Sequence, residues 1–314
     1  MTDDQRRPLE ATRQPRWLEV LSAGDLDTIH AETLRVLEQT GVFVEDDEAL
    51  DIFRDGGARV DRETRMVCLP GEVVEAAIAA CPRDDGSPVT FSNFDEGVIY
   101  VDPRTGERRE PRKADAGDAA LLVDALPNID SYSAAVRPRD VPAETAAVHG
   151  CEAALLCTAK SVGAEATSGW EVRTCAELAA CVSGGLDALR EDPVVSFGTC
   201  PVSPLKLPRD ATEVIVESAR LGLSDTILSM AMSGGTAPVT LAGSLVVHNA
   251  EVLSGIVLAQ LAAPGAPVVY GSSTTSMDLR FAAAAVGSPE LALIGAAVAQ
   301  MSKQYRLPSC IAGA

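Results

Sequence analysis

The chain has 314 residues, of which 46% are hydrophobic, and it carries a net charge of -19 at pH 7. A phosphate-binding surface needs net or clustered Lys and Arg, so this charge argues against a nucleic-acid partner. The eight cysteines include no C-x-x-C pair and there are only three histidines. This usage argues against a zinc site and a disulfide framework, and it predicts a reducing, cytoplasmic location.

The first 16 residues are of mixed charge and contain no apolar core, so they do not resemble a secretory signal. Residues 1–113 are predicted to form an N-terminal α+β region. In it, apolar residues at helical spacing follow Ser22 and Asp25 as possible caps, and Gly41 ends the helix. The remaining predicted elements are short: helices over 47–54 and 71–80, β-rich sequence over 58–70, and strands on both sides of a turn at 102–106.

From about residue 114 the sequence alternates between helices and short apolar strands. The predicted helices cover 114–126, 144–159, 171–189, 211–221, 239–262 and 289–304. The predicted strands cover 129–136, 161–166, 194–198, 226–232, 268–272 and 310–313. This alternation predicts parallel strands joined by right-handed crossovers, hence a doubly wound sheet or a TIM barrel. No phosphate-binding glycine motif follows a strand, which argues against a nucleotide-binding fold.

The number of predicted strands limits how much of a barrel residues 114–314 can form. A TIM barrel closes with eight strands, whereas the sequence predicts about six. We therefore predict an α/β protein in which an incomplete TIM (β/α)8-type barrel, without its C-terminal strands, follows the N-terminal α+β region. Residues 306–314 resemble a buried strand that reaches a loop, so Ala314 is not expected to end the functional protein.

The longest apolar segment, residues 241–263, contains the polar residues His248, Asn249, Glu251 and Gln260. Polar groups at this density are too costly for a membrane span, so the segment is predicted to be a buried helix of a soluble protein. A buried imidazole must be hydrogen-bonded, and Glu251 is one neighbour of His248 on this helix. A structural role is the simpler explanation of His248, because it lies about 15 Å along the predicted helix.

The carboxyl ends of the strands are where a barrel carries its reacting groups. At these ends the sequence places Met230, Met232, Tyr270 and Ser272. Two methionines and a tyrosine facing one pocket would suit a small methylated amine through polarizable and cation–π contacts. Simple core filling by the methionines is the alternative. The sequence contains neither a nucleophile–base pair nor a carboxylate spacing typical of a metal site.

Likeness to a known family is dense from about residue 194 onward and thinner before it. It is carried by residues 200–205, 228–235, 237–239, 241–243, 248–261, 270–275, 287–291 and 307–309, with a looser match over 29–42. These segments resemble the trimethylamine methyltransferase family. The resemblance implies a TIM barrel that transfers a methyl group from a methylated amine to the Co(I) corrinoid of a cognate corrinoid protein. It implies no cofactor or metal bound directly by this chain, because the partner presents the corrinoid.

Family members that use trimethylamine contain pyrrolysine, encoded by an in-frame amber codon directly after the stretch that resembles residues 307–314. The resemblance therefore implies an amber codon after Ala314 that is read through in the active protein, and no turnover by the 314-residue chain alone. The pyrroline imine would make the bound amine ammonium-like, so that it can leave. By position, Glu251 or His248 would polarise the imine, and the substrate pocket would be lined by Met230, Met232, Tyr270 and Ser272.

Two other interpretations stay open. Family members without pyrrolysine act on quaternary amines such as glycine betaine, so the chain is alternatively a pyrrolysine-independent quaternary-amine methyltransferase. The third interpretation is an inactive remnant, or a fragment that binds the corrinoid partner. In each case we expect a homo-oligomer that binds neither nucleic acid nor a membrane.

Overall fold

The computed structural model of the protein describes residues 18–84, 86–95 and 97–312. The predictions made for the first 16 residues and for Ala314 lie outside these residues. The helices are α1 Ala23–Gln39, α2 Asp47–Asp55, α3 Gly71–Ala80, α4 Lys113–Ala125, α5 Ala146–Cys157, α6 Gly169–Ser183, α7 Leu186–Glu191, α8 Arg209–Leu221, α9 Leu241–Ala262 and α10 Pro289–Tyr305. The strands are β1 Val42–Val44, β2 Arg59–Asp61, β3 Met66–Cys68, β4 Tyr100–Val101, β5 Arg108–Arg109, β6 Ser131–Ser133, β7 Ser161–Ala164, β8 Val195–Thr199, β9 Lys206–Leu207, β10 Asp225–Ser229, β11 Met232–Ser233, β12 Val268–Ser272, β13 Thr275–Asp278, β14 Ala283–Ala284 and β15 Ser309–Ile311.

The described residues of the chain group into two compact units. The central unit is Ser87–Gly198, and the flanking unit is Arg16–Gly86 with Thr199–Ala314. Parallel strands alternate with helices in both units, so the predicted α/β class is confirmed. The domain division predicted at residue 113 stays a prediction, because a compact unit is not by itself an independently folding domain.

Three parallel strands of the flanking unit, β10, β12 and β15, carry two of the six predicted site residues, Tyr270 and Ser272. β10 pairs with β12, and Ser229 lies opposite Ser272 at their carboxyl ends. β12 also pairs with β15, where Gly271 lies opposite Cys310. Because the strands are parallel, the loops that leave β10 and β12 begin side by side at one edge of the sheet.

The 22-residue helix α9 is the buried helix of the flanking unit. Thr240 caps it by accepting a hydrogen bond from the Gly243 N–H, so it begins two residues later than predicted. Among the described residues it is the one helix long and apolar enough to cross a membrane, yet 72% of its apolar window is buried inside the protein. It packs against α1, α3 and α8. The predicted buried helix is confirmed.

Close packing of α9 on β10 depends on a glycine. A Cβ added at Gly255 would lie 2.8 Å from Ile227 Cγ2, closer than side-chain carbons approach. Gly255 is buried on α9, and Ile227 is a fully buried residue of the hydrophobic core. The small residue therefore sets the distance between the helix and the sheet, and with it the position of the polar side chains on α9.

The predicted elements before residue 84 are present in the flanking unit. Ser22 caps α1, and it forms a capping box with Asp25. Gly41 follows the helix at a φ of +77°, a left-handed conformation that favours glycine. β1 pairs antiparallel with β3 and parallel with β9, so a strand from after residue 199 completes this small sheet.

The central unit contains the parallel strands β6, β7 and β8, of which β8 ends one residue beyond the unit, at Thr199. Helix α5 packs against both α4 and α6. A short hairpin, β4 with β5, surrounds the predicted turn at residues 102–106. With β10, β12 and β15 of the flanking unit, the described residues contain the six strands predicted from the alternating pattern.

Two predicted elements are divided in the structure. The helix predicted over 171–189 is two helices, because Gly184 and Gly185 adopt φ values of +88° and +134° between α6 and α7. The strand predicted over 226–232 ends at Ser229. Met232 instead begins β11, which pairs with β13.

Lys160 joins the end of α4 to the start of β7 in the central unit. Its ammonium donates to the carbonyls of Val123, Leu126 and Ile129 at 2.6, 2.7 and 2.6 Å. We expect Lys160→Met to lower the free energy of unfolding by about 2–3 kcal/mol in urea denaturation, because charge-assisted hydrogen bonds are lost. Lys206→Met removes a partly exposed ion pair and a distant cation–π contact with Phe43, and it is expected to cost at most about 1 kcal/mol. Equal losses in the two variants would contradict this role of Lys160.

Candidate functional site

Glu251 lies on α9 and reaches the carboxyl end of β10. It is 1% exposed, and its carboxylate accepts hydrogen bonds from Ser203 Oγ at 2.8 Å, Ser229 Oγ at 2.6 Å and the Leu205 N–H at 3.0 Å. Burial raises the pKa of Glu251, and the three hydrogen bonds oppose that rise. The carboxyl is therefore held in place by neutral donors, without a basic side chain of the described residues beside it.

His248 lies one helical turn before Glu251 and is fully buried. Its Nδ1 is 2.9 Å from Thr274 Oγ1 in the loop after β12, and its Nε2 has no hydrogen-bond partner among the described residues. Burial lowers the pKa of His248 to about 3, so the imidazole is neutral at physiological pH. Glu251 is not its hydrogen-bond partner, contrary to the suggestion from the sequence, because the carboxylate turns towards Ser203 and Ser229.

Tyr270 lies on β12, two residues before its carboxyl end, and is fully buried. Its hydroxyl donates to Asn249 Oδ1 at 2.7 Å, and burial raises its pKa well above the usual range. Its ring meets the imidazole of His248 edge-on, with ring centroids 5.4 Å apart. Tyr270 therefore supports His248, while its predicted part in lining a substrate pocket stays a prediction.

A chain of hydrogen bonds that the sequence did not reveal continues from Asn249. The Asn249 Nδ2 donates to the hydroxyl of Tyr305 at 2.8 Å. The same hydroxyl lies 2.9 Å from His30 Nδ1. The other ring nitrogen, His30 Nε2, is 2.7 Å from Glu75. All donors are used if Tyr305 donates to Nδ1 and the Nε2–H of His30 donates to Glu75. These partners are 45 to 275 positions apart, so no local sequence pattern joins them.

Tyr305→Phe is expected to lower the free energy of unfolding by about 1–2 kcal/mol, because Asn249 and His30 each lose a buried partner. Urea denaturation of the variant and the wild type measures the difference. Tyr100→Phe, in the central unit, is the matched control, since its hydroxyl makes no hydrogen bond to another described residue. A loss of the same size in both variants would contradict the network.

The other predicted substrate-binding residues lie at the ends of β10 and β12. Met230, directly after β10, is 51% exposed, so core filling does not explain it. Met232 is half-buried in β11, and Ser272 is buried and accepts a hydrogen bond from the Thr274 N–H at 3.2 Å. That these side chains line one pocket stays a prediction. Across residues 18–312, as far as they are described, no group of three or more His, Cys, Asp or Glu could hold a metal ion.

The similarity to known proteins covers nearly the whole chain. Residues 3–314 match a family model described as trimethylamine methyltransferase (MTTB). The trimethylamine methyltransferase MttB of Desulfitobacterium hafniense (strain DSM 10664 / DCB-2) is 45% identical over 303 residues, 92% of this chain and 61% of that protein. MttB of Methanosarcina thermophila is 41% identical over 320 residues, 94% of this chain and 65% of that protein.

A more distant relative is the glycine betaine methyltransferase of Desulfitobacterium hafniense (strain Y51). It is 30% identical over 305 residues, 92% of this chain and 63% of that protein. The chain thus spans 61% to 65% of the length of these three relatives. Among solved structures, the Methanosarcina barkeri monomethylamine methyltransferase (MtmB) is similar with a TM-score of 0.49 at 14% identity, over 91% of this chain and 66% of that chain.

Proposed function

The chain belongs to the trimethylamine methyltransferase family, and from that premise we propose that it transfers a methyl group from trimethylamine to the Co(I) corrinoid of a partner protein. The family match over residues 3–314, with relatives of that name at 41% and 45% identity, is the observation that carries the proposal. The corrinoid supplies the nucleophile and enters as a second substrate, carried by its own protein. The proposal places the protein in the cytoplasm, as a homo-oligomer.

Pyrrolysine is part of the proposal, on the strength of the family resemblance. A neutral tertiary amine is a poor methyl donor, because its leaving group would be an amide anion. When present, the pyrroline ring supplies an electrophilic imine carbon that binds the amine nitrogen. The gene's reading frame tests this part: an in-frame amber codon is expected, and a frame without one contradicts it.

Glu251 is the side chain proposed to take up and return a proton during the reaction. Because its pKa is raised, this carboxyl accepts and releases protons closer to neutral pH than an ordinary glutamate does. His248 stays neutral, because burial lowers its pKa to about 3, so it acts through hydrogen bonding. Met230 and Met232, directly beyond β10, are proposed to contact the methyl groups of the amine.

The second candidate function is methyl transfer from a quaternary amine without pyrrolysine. The 30% identity to a protein named glycine betaine methyltransferase favours it, although the proteins named for trimethylamine are more similar. A quaternary nitrogen already carries a positive charge, so its methyl group needs no prior activation. Substrate choice therefore separates the two candidates.

Methyl transfer to a reduced corrinoid protein tests the proposed function. Protein made in cells that insert pyrrolysine at amber codons is mixed with trimethylamine and the Co(I) corrinoid protein. We expect loss of the Co(I) absorbance and one dimethylamine for each methyl-cobalt formed. Methylation of the corrinoid by glycine betaine, without methylation by trimethylamine, would favour the second candidate instead. The 314-residue chain forms a separate arm, in which we expect no turnover and in which turnover would contradict the need for pyrrolysine.

A further inference from the structure

One hydroxyl, Thr274 Oγ1, connects the two polar side chains of α9. Thr274 is fully buried, and its Oγ1 lies 2.9 Å from His248 Nδ1, 3.3 Å from the Ser229 carbonyl oxygen and 3.4 Å from Ser229 Oγ. Ser229 Oγ in turn donates to Glu251 at 2.6 Å. His248, Thr274, Ser229 and Glu251 thus form one hydrogen-bonded group at the carboxyl ends of β10 and β12, here called the strand-end group.

The directions of these hydrogen bonds follow from the number of protons available. The Ser229 carbonyl also accepts the Ser273 N–H at 2.9 Å, so the single hydroxyl proton of Thr274 can go either to this carbonyl or to His248 Nδ1. We assign it to the carbonyl, because only that direction leaves His248 without a buried, unpaired N–H. Thr274 Oγ1 then accepts from His248, which makes the imidazole the Nδ1–H tautomer with a bare Nε2. The opposite tautomer would bury an Nε2–H with no acceptor among the described residues, and orphaned buried N–H groups are rarer than unsatisfied acceptors.

Glu251 adds a negative charge to the strand-end group when it is ionised, the form that its three hydrogen-bond donors favour and burial opposes. Its buried carboxylate accepts hydrogen bonds only from neutral donors and has no ion-pair partner within the described residues. Buried charges are normally paired with a charge of opposite sign. One turn of α9 therefore presents both a free hydrogen-bond acceptor and an uncompensated carboxylate. A small cation that carries an N–H group matches both features.

We propose that His248 and Glu251 form a binding site for a protonated tertiary amine, with Thr274 as the positioning residue that fixes the imidazole. Nε2 accepts the N–H of the ammonium, and Glu251 supplies the counter-charge. That the ligand is an amine rests on the proposed function. The site would distinguish tertiary from quaternary ammonium ions, since trimethylammonium has one N–H and a quaternary ammonium has none. His248 does not take this proton, because burial lowers its pKa to about 3, below that of an alkylammonium. The ammonium instead gives the proton to Glu251, which frees the nitrogen lone pair that the proposed function requires.

Nitrogen NMR tests the site directly, because the chain has only three histidines. The protein is labelled with 15N-histidine, and His248 is assigned by comparison with His30→Gln and His149→Gln. Near neutral pH the neutral Nδ1–H tautomer is expected for His248. Trimethylammonium chloride is expected to shift its Nε2 resonance, and tetramethylammonium chloride is not. Thr274→Ser is expected to keep the tautomer, whereas Thr274→Val gives a mixture of both.

An Nε2–H tautomer in the wild type would overturn the assignment, even if Thr274→Val does not fold. A response of Nε2 to both cations, or to neither, would overturn the ammonium site. That failure is distinct from failure of the proposed function, because methyl transfer is measured separately. A protein that shows the expected NMR response to trimethylammonium but transfers no methyl group would keep the site and reject the function.

Discussion

Glu251→Gln is expected to lower the rate of methyl transfer by about 100-fold while the protein stays folded. The amide keeps the volume of the carboxylate and still accepts the hydrogen bond from Leu205 N–H, but it carries no charge and takes up no proton. The amide NH2 then takes the place of Oε2 and faces the hydroxyls of both Ser203 and Ser229. That mismatch is expected to cost about 1–2 kcal/mol of unfolding free energy.

Glu251→Ala separates the structural part of this effect from the chemical part. It leaves two hydroxyls and one backbone N–H without their acceptor and opens a cavity beside α9. The free energy of unfolding is therefore expected to fall by about 3–5 kcal/mol, measured by urea denaturation with circular dichroism. A Glu251→Gln protein with the wild-type rate would contradict the proton-carrying role. An alanine variant of unchanged stability would contradict the buried hydrogen bonds.

Asp225→Asn is expected to stabilise the protein above neutral pH, which is the second large effect. Asp225 is 2% exposed at the start of β10; its Oδ2 accepts from Thr199 Oγ1 at 3.0 Å, and its Oδ1 has no partner within residues 18–312 as described. Burial raises the pKa of Asp225 to about 7, from 3.8 for an ordinary aspartate. The folded protein therefore holds this proton more tightly than the unfolded chain does.

The sign of the pH dependence follows from this difference. The contribution of the Asp225 proton to wild-type stability is fully present below about pH 4, falls as the pH rises, and is lost above about pH 7, by up to about 4 kcal/mol in total. The asparagine keeps the hydrogen bond from Thr199 and has no proton to lose. Urea denaturation at pH values between about 5 and 8 measures the growing difference. Asp187→Asn is the control: it removes only an exposed ion pair with Arg190, from a side chain 96% exposed, and is expected to change the unfolding free energy by at most about 0.5 kcal/mol. A constant difference between Asp225→Asn and the wild type would contradict the raised pKa.

The positions of Glu251 and His248 on a buried helix were predictable from the sequence. Polar residues inside a long apolar run must be satisfied within the protein, and the structure buries both residues on α9. Their partners were not predictable, because Ser203 and Thr274 come from loops 48 and 26 positions away. Which loop reaches the helix depends on the pairing register of β10 with β12, which the sequence alone does not fix.

Other differences have similarly local causes. Two consecutive glycines with positive φ divide the helix predicted over 171–189, where apolar periodicity alone indicated a continuous helix. Met230 is half exposed because β10 ends one residue earlier, at Ser229, so this side chain lies outside the sheet. The sequence predicts that Asn249 is buried, but not its hydrogen-bonded link to Tyr305 and His30, because that link joins α9 to α10 and α1.

Transfer of a labelled methyl group tests the central claim most directly. Fully deuterated trimethylamine is incubated with the pyrrolysine-containing protein and the Co(I) corrinoid protein, and the methyl-cobalt product is analysed by mass spectrometry. The wild type and Asp225→Asn are expected to place a trideuterated methyl group on cobalt at similar rates near pH 6, and Glu251→Gln at a rate lower by about 100-fold. No label on cobalt with the wild type, or equal labelling with Glu251→Gln, would contradict methyl transfer at the strand-end group.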